Sequence, residues 1–133
     1  PMWVPAMAFT IMKRQCKEFR WHDSGDLQSV DHLFNICQVC INTGNTSHWL
    51  PTREYEILDS VDFEIPDNLC IRVSAHIVGK FPPSRFSNKS IVVDDWIDGV
   101  EVCPVSAWED ITNCGSCRNC WDKSVQTVAY IKH

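Results

Sequence analysis

The chain of 133 residues has no apolar run that could cross a bilayer, no block of Lys or Arg, no internal repeat and no low-complexity tract. Each absence removes a class of protein. The most apolar segment, residues 2–12, falls well short of the roughly 20 residues a transmembrane helix needs. Lys13 and Arg14 follow that segment, whereas a secretory signal places its cations ahead of the apolar run. The net charge is −5, with 12 Lys and Arg against 17 Asp and Glu. Without clustered cations to meet phosphates, nucleic acid is not an expected partner. There is no phosphate loop and no nucleophile with a paired base, so no reaction is assigned and the question of an enzyme stays open. A cytoplasmic protein with reduced thiols is expected, with no membrane partner.

What the chain does have is cysteine. It carries eight, and four of them (Cys103, Cys114, Cys117 and Cys120) fall in its last quarter. A disulfide framework is usual for small secreted proteins. It suits this chain poorly, because the length allows a core without staples and the spacing is uneven. A length of 133 residues suits one domain. The expected layout is an α/β body over residues 1–100, a cysteine-rich segment over 101–124 and a closing strand over 125–133.

Hydrophobic spacing predicts helices over residues 2–14, 29–41 and 54–60, and strands over 17–22, 47–51, 69–78, 91–93, 100–102 and 125–131. In the 29–41 helix Val30, Leu33, Phe34, Cys37, Cys40 and Ile41 form one apolar stripe, and Ser29 or Asp26 can cap it. Alternating strands and helices imply an α/β fold: a small, mostly parallel sheet with crossover helices and a C-terminal cysteine-rich metal-binding lobe. The carboxyl ends of parallel strands share one edge, where ligands collect. That edge should gather His22, Asp23 and Asp26, then Thr52 and Arg53, then Ser74 and His76. His22, Asp23, Arg53 and His76 are therefore candidate cofactor-binding residues, with Arg53 as an anion contact and His76 as a proton donor. The plainer reading makes Asp26 a helix cap and Asp23 an Asx-turn, and gives His32 and His48 structural roles.

The sharper signal is C-x-x-C-x-x-C at Cys114, Cys117 and Cys120, with Cys103 ten intervening residues upstream. Three thiolates on a tight loop and a fourth from a distance suit a cubane iron–sulfur cluster. Gly115 permits the close turn, and Trp108 and Trp121 are placed to shield the site. Zinc is the rival, since structural zinc also takes four thiolates, usually from two separated C-x-x-C pairs. Cys37 and Cys40 offer such a second pair, although their place on an apolar stripe argues for core packing, as do the apolar settings of Cys16 and Cys70. The metal ligands expected are Cys103, Cys114, Cys117 and Cys120, around a [4Fe-4S] cluster or, as the alternative, Zn.

Five separated motifs carry a family resemblance. They are F-R-W-H-D-S-G-D-L-Q-S from Phe19, W-L-P-T-R-E from Trp49, I-R-V-S-A from Ile71, C-G-S-C-R-N-C-W from Cys114 and Y-I-K-H from Tyr130. Together they resemble the phage gene-product-eighty-eight family. The resemblance implies a viral product made in the host bacterial cytoplasm and implies little about activity; the cluster reading, separately, makes a host or phage redox protein the expected partner. The sheet order and cluster are also similar to those of radical S-adenosylmethionine enzymes. Those enzymes carry C-x-x-x-C-x-x-C after the first strand, whereas here the cysteines stand near the end of the chain, so this likeness stays at the level of fold.

Overall fold

A computed structural model describes residues 2–22 and 25–132. The chain divides into two compact units, one ending at Ile71 and the other beginning at Arg72.

The first unit holds α1 (Trp3–Lys13), β1 (Glu18–Arg20), α2 (Val30–Asn42), β2 (Ser47–Thr52), α3 (Tyr55–Asp59) and the first half of β3 (Leu69–Ser74). Strand β1 pairs parallel to β2, Phe19 facing His48, and β3 lies on the other side of β2. Helix α2 forms where the apolar stripe predicts it. Ser29 caps it, its hydroxyl accepting from the His32 N–H at 3.0 Å, which satisfies one of the orphan donors of the first turn. The stripe packs as core: Leu33, Ile36, Cys37, Val39 and Cys40 are buried with Ile11, Leu50 and Leu69.

The second unit holds the rest of β3, β4 (Lys89–Val93), β5 (Glu101–Val102), α4 (Pro104–Ala107), a 3-10 turn over Asn119–Trp121, and β6 (Thr127–Ile131). Its strand order is β3-β4-β6-β5, and each neighbouring pair is parallel. Ile91, Val93 and Ala129 form its core. The expectation of an α/β fold built on parallel strands holds in both units. Adjacent parallel strands need a crossover of a dozen residues or more. Between β5 and β6 that crossover is the cysteine segment, which holds only the four-residue α4 and the single 3-10 turn.

Three elements differ from the sequence expectation. The 17–22 strand stops at Arg20 because His22 adopts a left-handed backbone, φ 55°. The 69–78 strand stops at Ser74, and the next residues turn through Gly79 at φ 80°. Ile77 and Val78, whose β-branched side chains suggested a longer strand, are exposed. Helix α4 is an addition, started by Pro104 at its first position, where a missing N–H costs nothing.

Candidate metal centre

Cys103 closes β5. Its N–H donates to the Ala129 carbonyl on β6 at 2.8 Å, and its own carbonyl accepts from the Ser106 hydroxyl at 2.8 Å. The Ser106 oxygen in turn accepts the Ile131 N–H at 3.0 Å. Cys103 is thus fixed at the carboxyl edge of the sheet, where its neighbours in sequence placed it.

The three-thiol loop is built by local hydrogen bonds. The Cys117 N–H donates to the Cys114 carbonyl at 2.9 Å. The Gly115 N–H donates to Asn113 Oδ1 at 2.9 Å, and Gly115 supplies the left-handed turn expected of it, φ 54°. Arg118 Nη1 folds back onto the Gly115 and Cys117 carbonyls at 2.6 and 2.8 Å. The result is one narrow cavity of about 20 Å³, lined by all four cysteines together with Pro104, Val105, Trp121 and Val128. Trp121 walls the site as expected. Trp108 does not line it: just past the end of α4 its backbone turns extended, and its exposed ring stands 6.1 Å from that of Trp96. Among the described residues, no three His, Cys, Asp or Glu side chains are placed to hold one metal ion as they stand.

Cys120 is half-buried beside Tyr130 of β6. Burial pushes its thiol up to about 11, while the Tyr130 hydroxyl and the Arg72 charge pull the other way. Tyr130 Oη lies 3.1 Å from Cys120 Sγ. Burial and the neighbouring sulfur push the tyrosine pKa up, so Tyr130 keeps its proton and can donate it to a thiolate.

Arg72 and Tyr130 are the residues that sequence reasoning missed, although both lay inside quoted motifs. Arg72 sits within β3 and is fully buried, 0 % exposed. Its Nη2 donates to the Asn119 and Asp122 carbonyls, both at 3.0 Å, and its Nε to the Cys120 carbonyl at 3.3 Å. Its Nη1 reaches the carbonyls of Val125 at 3.0 Å, Lys89 at 3.1 Å and Gln126 at 3.3 Å. A cation in the middle of an otherwise buried strand was the available signal, since such a charge must be met by polar partners.

The other pair of closely spaced cysteines is core. Cys37 and Cys40 are buried in the first unit, and burial pushes their thiols up to about 11 and 12. The thiolate is the form that binds metal, so this setting disfavours the zinc site that would use them.

The polar edge is distributed differently from the expectation. In the first unit Asp26 does not cap α2. Its carboxylate accepts from the Leu27 N–H at 2.7 Å, the Thr52 hydroxyl at 2.6 Å and the Arg53 N–H at 2.9 Å, clamping the loop after β1 to the end of β2. The His22 ring is 5.4 Å from that of His32. Burial first, then the His32 charge, lower the His22 pKa against the pull of Asp26. Its Nε2 is buried without a hydrogen-bond partner among the described residues. The Arg53 side chain is exposed. His76, also exposed, belongs to the second unit, and Asp23 lies outside the described residues. His48 is a core group, as expected. The Thr43 hydroxyl donates to the Val39 carbonyl at 2.7 Å and stands 2.8 Å from His48 Nε2, while Trp21 Nε1 donates to His48 Nδ1 at 3.1 Å. That pattern assigns the ring proton to Nε2.

Fold and site together define an α/β protein whose β5–β6 crossover wraps a cysteine-lined cavity. Comparison with known families places it further: the gene product 88 model matches residues 1–123. The chain belongs to that family, which is a bacteriophage family. No curated protein and no solved structure matches it.

Proposed function

We propose that the chain binds one [4Fe-4S] cluster through Cys103, Cys114, Cys117 and Cys120 and serves as a redox auxiliary in the infected bacterium. The observation that carries the reading is the common cavity. Four thiols, one at a strand end and three on a loop, line the same apolar space. Zinc holds its sulfurs at about 2.3 Å in a tetrahedron, which brings them to about 3.8 Å from each other. A cubane spreads its thiolates over separate corners and needs a wider ring. Three cysteines stepped C-x-x-C-x-x-C with a remote fourth, all lining one cavity, support the wider group.

The chain's own residues would do the following. The four cysteines ligate, coordination displacing their protons. Tyr130 donates to Cys120, a hydrogen bond to sulfur of the kind that tunes cluster potentials. Pro104, Val105, Trp121 and Val128 would give the site an apolar side, while Cys114 is exposed. The bound group supplies one-electron exchange. With all four corners held by protein, no iron is open to a substrate, which favours electron transfer over substrate activation. The test is metal and acid-labile sulfide analysis of anaerobically purified chain. Four irons and four sulfides per chain are expected, in brown protein. Colourless protein with a single zinc would replace this reading with a metal-stapled interaction module.

A further inference from the structure

We propose that Arg72 is the positioning residue of the metal centre: it shapes the Cys120 turn before any metal arrives, and its fixed charge then acts on the bound group. The second part rests on the cluster reading; the first does not. Residues 103–126 connect two parallel strands without a helix long enough to satisfy their own backbone groups. Carbonyls that turn inward there need donors. The Arg72 guanidinium provides them, reaching the carbonyls of Asn119, Cys120 and Asp122 on the turn and those of Val125 and Gln126 leading into β6. A sixth bond, to the Lys89 carbonyl, ties the same fork to β4.

Only arginine offers five donors in a rigid plane. Lysine brings the charge without the fork. The two contributions are therefore separable by substitution. The fork holds Cys120 at one height against the cavity, which lowers the ordering that metal binding must accomplish. The charge stands behind the Cys120 peptide. Gaining an electron makes the centre more negative, so a buried cation beside it favours the reduced form.

Three measurements on the full chain test this. In metal-free wild type, the Arg72 Nε and Nη protons should give separate, slowly exchanging NMR signals. Exchange as fast as that of exposed arginines would overturn the proposal. In metal-free Arg72→Met and Arg72→Lys, iodoacetamide should alkylate Cys120 at least tenfold faster than in wild type. Unchanged labelling in a variant whose circular dichroism is native would also overturn it. After cluster loading, Arg72→Met should be harder to reduce than Arg72→Lys by about tenfold in the one-electron equilibrium constant, about 59 mV. Equal potentials would remove the charge effect, which a purely structural role does not predict. If the variants do not fold, the wild-type spectrum alone decides. A chain that takes up no iron but holds Arg72 in slow exchange loses the cluster reading, and with it the charge effect, and keeps the shaping of the Cys120 turn. A loaded chain with fast Arg72 exchange does the reverse.

Discussion

His48 shows how one buried side chain writes a pH dependence into the first unit. Burial lowers its pKa to about 4, so the folded state holds the ring neutral. The unfolded chain protonates it near 6.5 and binds more protons between those two values. Stability is therefore complete above pH 6.5 and falls as the pH drops toward 4, by about 3 kcal/mol for this group. His22, lowered in the same direction, adds to the same slope. Denaturant melts of wild type and His48→Gln between pH 4 and 7 should show a shallower slope in the variant; identical slopes would exclude His48 as the source. Asp26 is the second residue with a measurable role. Asp26→Ala strands the Thr52 hydroxyl and the N–H groups of Leu27 and Arg53. Lost bonds to a carboxylate of this kind should cost about 2 kcal/mol, read as a lower denaturation midpoint with an unchanged slope on denaturant. A midpoint equal to wild type would make the clamp incidental.

Elements were legible where two signals agreed. For α2, the apolar stripe and the Ser29 cap both point to a start at Val30. Strand β3 carried one signal only, β-branched alternation, and the sequence reading ran past its end because nothing in the string shows that Ile77 and Val78 stay exposed. Asp26 stands beside Ser29 as a cap candidate in the sequence because its actual partners, Thr52 and Arg53, are distant in the chain. The cysteine spacing is legible without any knowledge of the fold, and the structure brings those three cysteines and Cys103 to one cavity. What spacing could not show is the backbone beneath them. Arg72 acts through carbonyls, which every residue has and no sequence marks. At this scale Gly115 gives a further prediction. A Cβ there would meet nothing closer than Asn113 Oδ1 at 3.9 Å, so Gly115→Ala should cost only the left-handed backbone, about 1 kcal/mol. It should slow metal uptake without changing the metal bound. Wild-type uptake kinetics in Gly115→Ala would show that the loop does not need that turn.

At the scale of the molecule, the family match reaches from residue 1 to residue 123 and so takes in the α/β core of the first unit, Arg72 and all four cysteines of the second. Among the described residues no helix is long and apolar enough to cross a membrane. The first unit has a core of its own, with Cys37 and Cys40 consumed in packing. The cysteine crossover, by contrast, has few apolar groups, and its residues 108–116 are exposed. Metal should therefore stabilise the second unit selectively. Chelation should open residues 104–122 to protease while the 30–71 region resists, and uniform sensitivity would show that no metal holds the crossover. The most direct test of the account is native mass spectrometry of the full chain, kept free of oxygen, beside its Cys120→Ser variant. The account predicts that the wild-type mass exceeds that of the bare polypeptide by four irons and four sulfides and that the variant loses most of that increment. A wild-type mass equal to the polypeptide alone, or to the polypeptide with a single metal ion, would contradict it.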